Sequence, residues 1–285
     1  MEDKPFTQYY KEEREEKVAT RTLYRLLFVI LFIFIILFSV SVAFNQKYTY
    51  ITISGQSMQS TLNPSPVLTN ITTDGKTTKS WVQDGVYVEK TKNVTYDDVI
   101  IVENLSSEKT VIKRLLGMEG DYISIALVQV QPSVYEYRLL RVKAHSSYVE
   151  VLNEEYVKSY YEWTAEGDYE SDAQTPNIYY EPYFYQTFSL GDYESKLITV
   201  NQAGGEVKFF KIPENEIFYM GDNRPHSADS RQKGTTNINN VLGKVVEIVR
   251  DGTYYKGNEF YFFNRLKGCF SVIWDEILRF FGANI

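Results

Sequence analysis

The sequence predicts a mostly β protein that a single N-terminal helix holds in a membrane. Residues 26–44 form a run without a charged side chain, and short segments rich in Val, Ile, Thr and Tyr follow it. Tyrosine, which favours β-sheets over helices, accounts for 24 of the 285 residues. These observations predict one membrane helix followed by an exported β domain.

Composition excludes several function classes. The net charge is -7, so there is no basic surplus to bind nucleic acid. The single cysteine, Cys269, permits neither an internal disulfide nor a cysteine zinc site. We expect no metal and no cofactor, and the sequence leaves the oligomeric state open.

The apolar run at 26–44 is long enough to cross a bilayer, at about 1.5 Å per helical residue. Five basic residues lie just before it, between Lys11 and Arg25, whereas only Lys47 closely follows it. This asymmetry predicts a cytoplasmic segment 1–25, an anchor 26–44 and an extracytoplasmic remainder in the cell membrane. The alternative is a cleaved signal peptide, with Ser41, Val42 and Ala43 near the cut. We favour the anchor because the charged leader and the apolar run are both long.

The rest of the chain is predicted to form a β core from residues 46–125 and 205–250. Val, Ile, Thr and Tyr runs predict strands at 48–53, 85–90, 98–103, 110–116, 207–212, 217–220 and 241–249. Residues 126–204 are less regular, and we interpret them as an inserted β-rich second lobe. Its acidic, tyrosine-rich stretch 154–194 is interpreted as a solvated, variable surface rather than an acidic binding patch.

The C-terminal segment, 251–285, is predicted to contain an amphipathic helix from Cys269 to Phe281. Apolar residues recur there at 270, 273, 274, 277 and 281. The helix is too short and too charged to span a bilayer. Packing on the core and lying at the membrane interface are both open.

Three polar segments are candidates for chemistry, although each also has an ordinary structural explanation. In 54–62, Gly55 frees the backbone just before Ser57, so that amides beside the hydroxyl can bind an oxyanion. In 110–121, strand alternation places Lys113 between Val111 and Leu115, where desolvation lowers its pKa and makes it a general base. In 219–231, a strand runs into a dense cluster of Asp, Asn, Arg and Ser.

Together these segments resemble the bacterial type I signal peptidases. The resemblance lies in residues 55–62, 113–121 and 221–231, with a weaker match at 98–102, and their order after the anchor also agrees. Two positions depart from the family pattern: Ser60 stands in place of a proline, and Asp97 in place of a glycine.

The resemblance implies a signal-peptidase-like β catalytic core and a membrane-bound serine endopeptidase with a serine–lysine dyad. Its substrates would be the signal peptides of exported preproteins, cut after small residues. Ser57 would be the nucleophile and Lys113 the general base, with the Ser57 amide and Gly55 at the oxyanion.

Four further residues would support the dyad by the same resemblance. Met58 would pack under the nucleophile, and Ser227 would hydrogen-bond the Lys113 amine. Asp229 and Arg231 would hold their loop by a salt bridge.

Two other functions are weighed against this one. A Ser-His-Asp hydrolase would need His145 or His226, yet no nucleophile elbow is present. A non-catalytic, membrane-tethered signal-peptidase-like module would assist pilus or surface-protein assembly, but Ser57, Lys113, Ser227 and Asp229 are all retained. A related family of self-cleaving repressors would carry a DNA-binding domain where this chain has its apolar run.

Overall fold

The structure is a computed structural model of the full chain. It describes residues 6–59, 61–63, 68–73, 76–104, 109–132, 134–154, 156–157, 196–199, 206–224, 227–254 and 260–283. Most of the predicted lobe, including the bulk of 154–194, lies outside the described residues, as does His226.

The described residues form three α-helices and fourteen β-strands, numbered here along the chain. The helices are α1 (Phe6–Lys47), α2 (Ser230–Lys233) and α3 (Tyr261–Phe280). The strands are β1 (Tyr48–Thr52), β2 (Leu68–Thr73), β3 (Lys76–Trp81), β4 (Gly85–Glu89), β5 (Val99–Asn104), β6 (Lys109–Gly117), β7 (Tyr122–Gln131), β8 (Val134–Val142), β9 (Glu150–Val151), β10 (Lys196–Thr199), β11 (Glu206–Lys211), β12 (Glu216–Met220), β13 (Thr236–Asn237) and β14 (Val241–Val249).

The strands assemble into a seven-stranded sheet, a five-stranded sheet and a two-stranded ribbon. The seven-stranded sheet has the order β1-β4-β14-β5-β6-β12-β13, and the five-stranded sheet has the order β10-β11-β7-β8-β9. Strands β2 and β3 form the ribbon. In the larger sheet β6 pairs antiparallel with both β5 and β12, so chain segments distant in sequence meet on either side of it.

The chain divides into two compact units, residues 1–49 and 50–285. The first contains α1, a 42-residue helix. Its apolar side chains between 26 and 38 are exposed rather than packed against protein. By length and composition, α1 is the one helix among the described residues that could cross a membrane.

The predicted mostly β fold is confirmed. All seven predicted strands are present, with ends that differ by at most one residue from those expected. Strands β7 and β8 form a long hairpin that runs from the predicted core into the predicted β-rich lobe, and its register extends from Tyr122–Val142 to Gln131–Val134. The turn at Pro132 joins two runs of alternating apolar and polar residues, which suit a half-buried ribbon. The domain boundaries stay a prediction.

The C-terminal helix begins earlier than predicted, at Tyr261 instead of Cys269. Phe262 and Leu266 extend the same apolar stripe by two turns, since residues four apart share a helix face. The extra turns bring this helix against β4 and β14.

Buried apolar clusters lie on the faces of both large sheets. One cluster joins the five-stranded sheet to β6 and β12 and includes Leu116, Leu139 and Phe218, each fully buried. A second lies beneath the loop after β1 and includes Met58 and Ile112. Strand β6 contributes to both clusters, which fixes its position in the fold.

Replacing Leu139 tests the first cluster. Leu139→Ala should lower the free energy of unfolding by about 2–5 kcal/mol, because the cavity it leaves has no solvent access. The matched control is Leu242→Ala, since Leu242 is 44% exposed, and it should cost about 0.5 kcal/mol. Urea unfolding of the full chain in detergent measures both, and equal losses would contradict the core assignment.

Candidate active site

Ser57 lies in a tight turn directly after β1. Gly55 has a φ of +96°, a conformation that L residues with a Cβ adopt only with strain, and it turns the chain toward Ser57. The Gln59 amide donates to the Gln56 carbonyl at 2.9 Å, and the Leu62 amide donates to the Met58 carbonyl at 2.8 Å. Met58 is 1% exposed and packs into the cluster below. This buried side chain anchors the turn that presents Ser57.

Lys113 lies in the middle of β6, opposite Ile100 of β5. Its side chain runs into the protein, and the residue is only 3% exposed. The Nζ atom lies 2.7 Å from Ser57 Oγ and 2.8 Å from the Ile112 carbonyl oxygen. The structure therefore brings together the two residues proposed from sequence as nucleophile and base.

Burial changes the protonation of the Lys113 amine. Loss of solvation lowers the pKa of Lys113 from 10.5 to about 8, and the negative charge of Asp229 opposes part of that shift. An amine with this pKa is partly neutral near physiological pH. In the neutral form its lone pair can accept the Ser57 proton across the 2.7 Å contact.

Asn223 ties the Ser57 turn to the loop after β12. Its backbone amide donates to the Ser57 carbonyl at 3.1 Å, and its side-chain Nδ2 donates to the Gln56 carbonyl, also at 3.1 Å. At the preceding Gly221, a Cβ would overlap the Ser57 carbonyl oxygen and the Ser227 hydroxyl. Only glycine permits this close approach of the two loops.

Asp229 and Arg231 form the predicted ion pair, with Arg231 Nε 2.9 Å from Asp229 Oδ1. Asp229 also accepts from the Gly221 amide at 3.0 Å and caps the start of α2. Burial acts to raise the pKa of Asp229, but the charge and hydrogen bonds of Arg231 outweigh it and lower that pKa. Arg231 Nη2 donates to the Arg224 carbonyl at 2.6 Å, so the pair closes the loop on itself.

The hydrogen bond predicted between Ser227 and Lys113 is not formed in the structure. Ser227 is 4% exposed, and its Oγ lies within hydrogen-bonding geometry of no partner among the described residues. Instead, Lys113 Nζ uses its contacts for Ser57 Oγ and the Ile112 carbonyl. Ser227 nevertheless lies at the site, because its hydroxyl and the Ser57 carbonyl both border Gly221.

Sequence reasoning missed a buried ion pair beside the dyad, between Arg114 and Asp222. Arg114 Nη2 lies 2.7 Å from Asp222 Oδ2, and Arg114 Nε lies 2.9 Å from Asp222 Oδ1. Thr61, from the Ser57 loop, hydrogen-bonds the same carboxylate. Burial disfavours the charged guanidinium, but Asp222 overcomes this and raises the pKa of Arg114. The sequence did contain a signal for this pair. Arg114 lies in a predicted strand on the face opposite Lys113, and an arginine that is buried there needs a counter-ion.

A second missed pair joins the edge of the proposed lobe to the site. Arg224 Nη2 lies 2.5 Å from Glu154 Oε1, with side-chain exposures of 0% and 4%. Two residues later, the Tyr156 ring lies 3.9 Å from the Arg114 guanidinium. Two residues of the proposed lobe, Glu154 and Tyr156, thereby contact Arg224 and Arg114 beside the dyad.

His145 lies in an exposed turn with a φ of 64°, away from these contacts. The described residues contain no group of three His, Cys, Asp or Glu side chains that could hold a metal ion.

Comparisons with known proteins give a family match and several matching solved structures. A family model described as signal peptidase, peptidase S26, matches residues 23–250. A crystal structure of a signal peptidase I from Enterococcus faecalis V583 is 18% identical, with a TM-score of 0.29, and the similarity covers 54% of this chain and 97% of that chain. No curated protein matches the sequence.

Removing the charge of Asp222 tests the buried ion pair. Asp222→Asn should lower the free energy of unfolding by on the order of 3 kcal/mol, because Arg114 would be left buried without a counter-ion. The control is Glu276→Gln, which breaks the exposed pair with Arg279 and should cost less than about 1 kcal/mol. Urea unfolding in detergent compares them; a loss for Asp222→Asn no larger than the control's would refute a stabilising role for the pair.

Proposed function

Because the chain belongs to the signal peptidase family, peptidase S26, we propose that it is a membrane-bound serine endopeptidase with a Ser57–Lys113 dyad. It would remove signal peptides from exported preproteins. The observation that carries the proposal is the 2.7 Å approach of Lys113 Nζ to Ser57 Oγ inside a site where the amine is buried.

In the proposed reaction, Ser57 Oγ attacks the scissile carbonyl carbon while Lys113 takes the hydroxyl proton. The tetrahedral intermediate collapses, the peptide bond breaks, and Lys113 gives that proton to the departing amine. A water molecule, deprotonated by the same neutral amine, then attacks the ester on Ser57. The ester bond breaks, the signal peptide leaves with a new C-terminal carboxyl group, and Lys113 returns the proton to Ser57 Oγ. Both halves of the cycle need an uncharged lysine.

The Ser57 backbone amide is the proposed oxyanion donor. No described residue accepts a hydrogen bond from this amide, so it is available to a substrate oxygen. Gly55 supports the donor through its positive φ, which helps form the turn that carries Ser57.

The remaining predicted residues are proposed to position the dyad. Met58 anchors the nucleophile turn in the core, and the Asp229–Arg231 pair holds the loop that meets it. Ser227 is proposed to hydrogen-bond Lys113 only when substrate enters. Its hydroxyl is buried at the site and forms no hydrogen bond with a described residue. Asn223 is added to this set through its two bonds to the turn.

We further propose that α1 crosses the cell membrane once, with the N-terminus in the cytoplasm. The apolar run at 26–44 and the basic residues before it support this orientation. The dyad would then act at the outer membrane surface, where exported preproteins emerge. Partners of the chain are therefore signal peptides and the lipid bilayer.

Single substitutions test the dyad in a cleavage assay with a purified preprotein in detergent. Ser57→Ala and Lys113→Ala should each lower kcat/KM at least 100-fold, since each removes a group whose contribution is about 10²–10⁴. The controls, Ser147→Ala and Lys143→Ala, change exposed residues and should retain full activity. Activity without Lys113 would refute the dyad, whereas no cleavage by the unchanged protein would favour the non-catalytic module.

The pH dependence of kcat/KM tests the identity of the base. At pH values below its pKa of about 8, the Lys113 amine is mostly protonated and cannot accept a proton. The value of kcat/KM should therefore rise with pH, reach half of its maximum near pH 8 and level off at higher pH. Well below the midpoint the rate should fall about tenfold per pH unit. A midpoint near ~6 would implicate a histidine instead.

A further inference from the structure

Helix α3 carries an exposed aromatic stripe. Phe262, Leu266, Phe270 and Trp274 recur every four residues, and each is at least 39% exposed. Further exposed apolar residues continue the stripe or flank it: Phe260, Phe263, Ile277, Phe280 and Phe281. Contiguous apolar surface of this kind on a folded protein marks a site of interaction.

The opposite side of α3 is fixed to the seven-stranded sheet. Gly268 is buried there, and a Cβ at this position would come within 2.6 Å of the Val249 side chain. Val272, one turn later, is 3% exposed, and Ser271 Oγ donates to Glu247 of β14 at 3.1 Å. Because Gly268, Ser271 and Val272 face the sheet, the helix holds its stripe outward and cannot rotate it inward without losing these contacts.

Helix α3 contacts a residue that lies close along the chain to the proposed membrane anchor. The Arg265 guanidinium of α3 lies 4.4 Å from the centre of the Tyr50 ring, and Tyr50 donates to the Gly252 carbonyl at 2.7 Å. Tyr50 is only three residues after Lys47, where α1 ends. Within the unit 50–285, α3 therefore packs beside the residue at which the chain enters that unit.

The composition of α3 fits the boundary between lipid headgroups and acyl chains. Tryptophan and phenylalanine are favoured at that depth, and basic side chains beside them contact anionic headgroups. Arg265 and Lys267 occupy such positions near the start of the helix, whereas its acidic residues, Asp275 and Glu276, are only partly exposed. Tethering by α1 would also raise the local concentration of bilayer far above that of any soluble partner.

We infer that α3 lies in the membrane interface, with the stripe defined by Phe262, Leu266, Phe270 and Trp274 inserted among the acyl chains. This gives the catalytic unit a second membrane contact, and it rests on the membrane anchoring stated in the proposed function. Two attachment points restrict rotation of the catalytic unit about the end of α1. The dyad is thus held at a set orientation to the bilayer.

Fluorescence quenching by lipid tests the inference in the full chain. Trp81→Phe and Trp163→Phe leave Trp274 as the one tryptophan, and the protein is reconstituted in vesicles of phosphatidylcholine and phosphatidylglycerol with or without acyl-chain bromines. We expect brominated lipid to reduce Trp274 emission at least twofold. In the control, Trp274→Phe is combined with Tyr148→Trp, a position 75% exposed on a loop, and brominated lipid should leave emission unchanged.

Three outcomes would overturn the inference, and each is separable from failure of the proposed function. If alkaline carbonate cannot extract the protein and Trp274 emission is quenched no more than the control's, then α1 is anchored but α3 is not inserted. Quenching that disappears when protein is diluted to one copy per vesicle means that the stripe binds a second copy. Extraction of the protein by carbonate removes the anchoring premise itself. Preprotein cleavage, measured in parallel, reports on the dyad independently of all three.

Discussion

The buried contact between Lys113 Nζ and Ser57 Oγ is the constraint on which the rest of the site depends. An amine in water holds its proton and cannot serve as a base near neutral pH, so the fold must keep solvent from it. Strand β6 does this by carrying Lys113 between two neighbouring strands, where it is 3% exposed. The same burial makes every other polar group nearby dependent on a partner within the protein.

One short loop holds both halves of this contact. Asp222 binds Arg114, the neighbour of Lys113 on β6, and the next residue, Asn223, binds the carbonyls of Gln56 and Ser57. Two adjacent residues therefore fix the base strand and the nucleophile turn to the same backbone segment. The Asp229–Arg231 pair and the absence of a Cβ at Gly221 keep that segment rigid and close. The geometry of the proposed dyad therefore depends on ion pairs formed by neighbouring residues.

Burial and exposure differ between the dyad and α3. Charged groups are buried beside the dyad, whereas aromatic groups are exposed on α3. Buried charges need partners within the protein, and exposed apolar surface marks a site of interaction. The proposed anchor and the aromatic stripe would place the polar site at the depth where signal peptides leave the bilayer.

The sequence by itself predicted seven of the described strands, the apolar helix and the two residues of the proposed dyad. These features depend on local periodicity, such as the alternation of Lys113 with Val111 and Leu115, and on short motifs of contiguous residues. Only the tertiary structure decided that Arg114 pairs with Asp222, 108 positions away, and Arg224 with Glu154, 70 positions away. The first pair follows from the register of β6 against β12, and the second from the course of the chain around Glu154. No local sequence pattern encodes either. For the same reason the amphipathic pattern of α3 predicted its helix but not which face is exposed, since Gly268 against Val249 settles that only after folding.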